Sequence, residues 1–249
     1  IEYQRAGHFW VWIMAVTELG HMRRAWCGKV EGRKSAQVDG AILHAWDRLD
    51  ALQLAFEVED IRVCIDAGTD AIENEIYFEA AKRNWLCLAG SGQKQHLEKS
   101  VIQNDGTEIL EKVASVFSGF KAMATFPAEV EGDPDLVAEL VHWNKKSVTD
   151  FWDVIRTGRS AYVKLSLPRN IYRLEKGLGE METIYRQLNS MVYDARKGQW
   201  VKKTASTQDH LWDCCSMIIV MMLIDGYFSE LTAAHKEEAT RSEVVEAEV

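Results

Sequence analysis

The chain reads as an α/β protein of three layers, its central sheet antiparallel at one edge and parallel in its other half. Three observations predict this. Two dense apolar runs, residues 9–16 (FWVWIMAV) and 21–30, are joined by a short turn at Glu18-Leu19-Gly20, the pattern of a β-hairpin. The run Arg62-Val63-Cys64-Ile65 ends in Asp66-Ala67-Gly68, as a buried strand does when it delivers an acid to its carboxyl end before a sharp turn. A helical stretch and a further apolar run, residues 85–89 (WLCLA), then follow, so strand, helix and strand succeed one another as a right-handed βαβ unit with a parallel pair.

The remaining elements follow in order. Residues 1–4 begin the first strand, and Gly7 marks a turn or bulge. Phe9, Trp10, Trp12 and Trp26 load both faces of the hairpin, which predicts cover on both sides. Residues 38–56 place Ile42, Leu43, Trp46, Leu49, Leu52 and Leu54 near helical spacing, and residues 71–83 form a second helix through Ile72, Ile76, Phe78 and Ala80. Residues 98–141 show no clear period, with turns at Asn104-Asp105-Gly106 and Gly132-Asp133-Pro134. A helix is expected over 147–156, a strand over 162–167 ended by Pro168, a helix over 181–192, and a small hairpin or turn over 193–201 around Lys197-Gly198. The most apolar helix spans 209–224 (DHLWDCCSMIIVMMLI), with Thr207 or Asp209 as its cap. The chain thus divides into one domain over 1–228, with a less regular insertion near 98–145, and an acidic tail over 229–249.

Composition narrows the classes. With 249 residues, 47% of them hydrophobic, the chain can bury one large core. No apolar run has the roughly 20 residues a membrane span needs. Five cysteines without a CxxC pair predict reduced thiols, and the adjacent Cys214-Cys215 suits neither zinc nor an ordinary disulfide. Gly90-Ser91-Gly92-Gln93-Lys94 lacks the phosphate-loop spacing, and no such loop occurs elsewhere. The net charge of −9 argues against a dedicated duplex binder. Yet thirteen Lys/Arg face six Asp/Glu between Lys145 and Lys203, either a solvated surface or a local phosphate-binding face. Ile1 opens directly in a strand, which leads us to expect a domain before it.

The acids carry the functional reading. Asp66 at a strand end is either a helix cap or a ligand. Asp209 and Asp213 lie four apart on one face of a buried helix that holds no Lys or Arg, and His210 is the nearest basic group. Carboxylates there are costly unless paired, and a shared Mg²⁺ or Mn²⁺ ion pairs them through hard oxygen ligands.

In this order the residues resemble the nuclease domain of the large subunit of phage DNA-packaging terminases. Tyr3-Gln4-Arg5-Ala6-Gly7-His8-Phe9-Trp10 resembles its opening strand, Ile65-Asp66-Ala67-Gly68 its second acidic strand, and Asp209-His210-Leu211-Trp212-Asp213-Cys214 its last acidic helix. The segment 144–158, the strand to Pro168 and Trp200 fall in the expected order between them, so the likeness covers most of 1–225. It implies an RNase H-like three-layer fold, a mixed central sheet with antiparallel hairpin strands and a parallel half flanked by helices. It also implies a metal-dependent endonuclease that cleaves concatemeric double-stranded DNA with two Mg²⁺ or Mn²⁺ ions.

By this resemblance the catalytic acids map onto Glu2, Asp66 and Asp213, with Asp66 bridging and Asp209 either a secondary, fourth ligand or the group that orients a water. Glu2 stands where the family has Asp, and Asp209 where it has Asn. An ATPase domain before residue 1, the portal ring, the small terminase subunit and a location in the host cytoplasm are the implied partners and setting. Other RNase H-like nucleases (a resolvase or transposase core) and a weakly catalytic DNA or portal docking module remain alternatives. Lys164, Arg169, Arg173 and Lys176, beside the loop Lys176-Gly177-Leu178-Gly179, are the expected phosphate contacts, and Lys145, Lys146, Arg156 and Arg159 stand next.

Overall fold

Short apolar stretches closed by glycine or a polar residue make strands here, and longer periodic ones make helices; the result is a mixed α/β architecture. The computed structural model describes residues 1–4, 8–31, 38–68, 73–102, 108–124, 136–167 and 184–228. The chain folds as two compact units: residues 1–10 with 29–148, and residues 11–28 with 149–249. Strands β2 (His8–Val16) and β3 (His21–Glu31) run through both. Among the described residues no helix is long and apolar enough to cross a membrane.

In the first unit β1 (Glu2–Gln4) pairs antiparallel with β2 in the register Glu2↔Trp10, Tyr3↔Phe9 and Gln4↔His8. Its other side meets β4 (Cys64–Asp66). The Ile1 nitrogen donates to the Cys64 carbonyl at 2.9 Å, and the Asp66 N–H donates to the Ile1 carbonyl at 2.9 Å. That alternation is a parallel pairing of Ile1 with Ile65. Helix α1 (Val38–Ala55) precedes β4, and α2 (Glu73–Arg83) leads to β5 (Leu86–Ser91). β5 lies parallel to β4 and to β9 (Val137–Asn144), while β8 (Lys121–Ala124) closes β9 antiparallel. Ile65, Cys87, Leu88 and Val141 are fully enclosed, as parallel strands covered on both faces require.

The expected hairpin, βαβ unit and parallel pair are therefore present. Among its described residues, the stretch read as less regular holds four strands: β8, β9 and the ribbon of β6 (Gln95–Ile102) with β7 (Glu108–Ser115). Ile102 and Leu110 are 75% and 69% exposed, and charges interleave the apolar residues, so this ribbon carries no burial period for the sequence to reveal.

The second unit holds the part of α3 (Lys145–Arg156) from Thr149 onward, β10 (Lys164–Ser166) parallel to His21–Arg23 of β3, helix α4 (Ile184–Leu188), the hairpin β11 (Met191–Asp194) with β12 (Gln199–Lys202), and α5 (His210–Ile224). The helix expected over 181–192 is corrected: it stops at Leu188, and Met191 already starts a strand. Asn189 and Ser190 make the turn, and the β-branched and aromatic pair Val192-Tyr193 favours the hairpin. Residues 181–183 and the tail 229–249 lie outside the described residues.

The core of the first unit has an ionic clasp. Trp46 stacks 4.7 Å from Phe9 and 6.2 Å from Trp85, and the Arg83 guanidinium sits 5.4 Å from both indoles. Arg83 also pairs with Asp50 and with Glu79, which is buried. Removing the arginine leaves Glu79 without its cation in a low-dielectric site. Arg83→Met should therefore lower stability by about 3 kcal/mol, read as an earlier urea midpoint at unchanged slope. A loss under about 1 kcal/mol would place these charges among solvent-screened pairs.

Candidate functional site: the carboxyl ends of the parallel strands

Parallel strands end together, and ligands of open α/β sheets bind beyond their carboxyl ends. In the first unit β4 ends at Asp66, β5 at Gly90-Ser91 and β9 at Asn144. Register places Asp66 beside Leu88 and Ser91 beside Asn144. On the other flank of β4, the pairing of Ile1 with Ile65 makes Glu2 and Asp66 the next facing positions. Adjacent strands lie about 4.8 Å apart and neighbours in register share a face. Two of the four acids singled out in the sequence, Glu2 and Asp66, thus stand on adjoining strands.

Their surroundings differ. Glu2 is 7% exposed and its Oε1 accepts a hydrogen bond from the Gln4 amide at 3.0 Å. Asp66 Oδ1 accepts from the Gly68 N–H at 3.2 Å, the turn expected from the sequence. Burial pushes the Asp66 carboxyl above its ordinary range, while that N–H and the positive charge of Lys145 act against the rise. A charge disfavoured by desolvation is one that a divalent cation would stabilise. Paired carboxylates are hard oxygen donors, so Glu2 and Asp66 fit the start of a Mg²⁺ or Mn²⁺ site. Among the described residues no group of three His, Cys, Asp or Glu side chains is placed to hold a metal ion.

Lys145 reaches this place through the end of β9. Asn144 Oδ1 accepts from the Ser147 N–H at 2.8 Å, which caps α3, and its Nδ2 donates to the Gln93 carbonyl at 2.9 Å. The first helical residue, Lys145, then lies across Gly90: a Cβ on that glycine would meet Lys145 Cε and would sit 2.9 Å from Cγ. The sequence reading held Lys145 only as a reserve phosphate contact. The signal was present as a polar cap, Asn144, after the apolar run Leu140-Val141-His142-Trp143.

The other two acids belong to the second unit. Asp209 stands at the N-cap position of α5 but makes no side-chain cap bond. Its Oδ1 meets Lys202 Nζ at 2.7 Å, and the cap role passes to Gln187, whose Oε1 accepts the Leu211 N–H at 2.9 Å. Thr207, the other expected cap, bonds to Thr204 instead. The lysine that pairs Asp209 comes from β12, outside the helix, so the search for a partner within the helix missed it. Asp213 lies one turn on, half-buried.

Arg156 and Arg159, reserve phosphate contacts, both bind Asp153 at 2.5 Å, and Arg156 stacks on Trp212 at 5.3 Å. Lys164 is exposed on β10. Arg169, Arg173 and Lys176 lie outside the described residues. All five cysteines are free. Burial raises the Cys64 and Cys215 thiols and pushes Cys87 up to about 12, which leaves these three inert as nucleophiles.

Family models, curated proteins and solved structures give no match to this chain.

The raised carboxyl of Asp66 has a measurable sign. When the folded pKa exceeds the unfolded one, the native state binds the extra proton, so stability falls as pH rises through that interval and the loss is complete above it. Asp66→Asn keeps an acceptor for the Gly68 N–H and removes the charge. It should be more stable than wild type above neutrality and indistinguishable from it in acid, as measured by urea unfolding across pH. Parallel pH profiles for the two proteins would show that the acid bears no such cost.

Proposed function

We propose that this chain is the metal-dependent endonuclease domain of a viral genome-packaging terminase large subunit, which cleaves double-stranded DNA. The observation that carries the reading is the placement of Glu2 and Asp66 on adjoining strands, with Asp66 at the carboxyl end of a parallel strand. That is the location and donor chemistry the resemblance requires, and an RNase H-like arrangement of these elements is part of the same proposal.

Bound Mg²⁺ or Mn²⁺ would supply charge stabilisation at the attacking and leaving oxygens of the phosphodiester. The chain's own part is to hold the ions. Within the first unit Asp66 is the shared ligand and Glu2 serves beside it. Double-stranded DNA is the substrate; a preceding ATPase domain, the portal ring and the small terminase subunit are the proposed partners, in the host cytoplasm. One observation favours a second reading, a weakly catalytic DNA or portal docking module: Lys202 already neutralises Asp209.

Nicking of supercoiled plasmid in Mn²⁺ separates the two. Asp66→Ala should abolish nicking while retaining cooperative unfolding. Metal-dependent nicking by a well-folded Asp66→Ala protein would sink the assigned role. Glu2→Asp should keep or raise the rate, because the shorter acid is the family's residue. Its complete loss of activity would mean that the site is matched to glutamate.

A further inference from the structure

The carboxyl end of the sheet near Asp66 carries a cation that the acid-based reading leaves without a task. Lys145 is the first residue of α3, and the helix cap at Asn144 fixes where it starts. Asn144 is held twice more, through its Nδ2 to Gln93 and its N–H to the Val116 carbonyl at 2.8 Å. A lysine in this position points along the sheet end only if the neighbouring strand leaves room. β5 does so with Gly90, paired with Trp143 in β9. The aliphatic stem of Lys145 occupies the space a side chain at 90 would need, with Cγ 2.9 Å and Cδ 3.1 Å from the Cβ position. Gly90 has no left-handed backbone angle to explain it. The glycine's evident use is therefore the passage of this lysine.

The end of the stem carries its charge toward the carboxyl end of β4. No carboxylate lies within ion-pair distance of Lys145 among the described residues, although its field is felt at Asp66. The side chain is exposed, so its ammonium remains hydrated and available. A hydrated cation held over a glycine near Asp66 is suited to an anionic group that approaches that acid.

We propose that Lys145, laid across Gly90, is a phosphate-binding residue of the Asp66 site and positions the backbone of a nucleic-acid strand there. This rests on the endonuclease reading and extends it, since it names the group that offsets the substrate's charge where Glu2 and Asp66 alone would repel it. The contact is with phosphate and carries no base preference.

The test measures affinity for a short fluorescein-labelled DNA duplex by anisotropy, in EDTA, over a range of salt. Lys145→Met should weaken binding about tenfold and reduce the salt slope by about one. Gly90→Ala keeps every charge but displaces the stem, and should weaken binding in the same direction. Lys145→Arg should restore most of the affinity. In Mn²⁺, Lys145→Met should raise KM with a smaller change in kcat, and Mn²⁺ binding measured by calorimetry should not weaken. Affinity and slope equal to wild type in both Lys145→Met and Gly90→Ala would overturn the proposal. Where one variant misfolds, the other decides. Absence of nicking by the wild-type protein would instead count against the endonuclease reading, and the anisotropy comparison would still judge Lys145.

Discussion

The parallel seam between β1 and β4 is the constraint on which the candidate site depends. It rests on two backbone hydrogen bonds at Ile1, and on its far side β1 is held by the antiparallel register with β2. A slip of one residue would turn Glu2 to the opposite face and leave Asp66 without a neighbouring acid. Three residues cannot hold a register by themselves. Packing does so: Tyr3 meets Phe9 at 5.3 Å, Phe9 meets Trp46, and Ile65 is wholly enclosed. The aromatic loading of the first strands is therefore a device for fixing where two carboxylates stand.

Much of this was legible in the sequence, and the exceptions have physical reasons. The hairpin, the βαβ unit and α5 announce themselves because their burial is one-sided or complete over long runs. Asp66 was legible because an acid that ends an apolar run can sit only at the strand's rim. β9 was not, since Glu139 and His142 interrupt its apolar residues, and only its neighbours β5 and β8 make it a central strand. The Lys145–Gly90 contact was invisible for the same reason, being a fact of strand register across some 50 residues. At α5, local rules favoured Asp209 as a cap, but a lysine from β12 and a glutamine from α4 rearranged the roles.

Charge counting also needs correction from the fold. The basic segment between Lys145 and Lys203 suggested either a solvated surface or a phosphate-binding face, and part of that charge is already paired with the protein's own acids. Arg156 and Arg159 share Asp153, and Lys202 holds Asp209. In both units an arginine also lies against tryptophan faces: Arg83 on Trp46 and Trp85, Arg156 on Trp212. A planar, weakly hydrated guanidinium tolerates such half-buried places better than an ammonium. In these clusters the arginines do structural service, and the exposed lysines carry more of the charge that remains for a ligand.

The ribbon of β6 and β7 has a different consequence. Its eight register pairs set Glu98 against Lys112 and Lys99 against Glu111, with Leu97 facing Val113 and Val101 facing Ile109. Among the described residues both strands pair only with each other, and much of their apolar surface meets water. A two-stranded ladder of this kind is marginal and opens without the rest of the sheet. Its amides are expected to exchange with solvent by local fraying, on a clock separate from that of the buried strands.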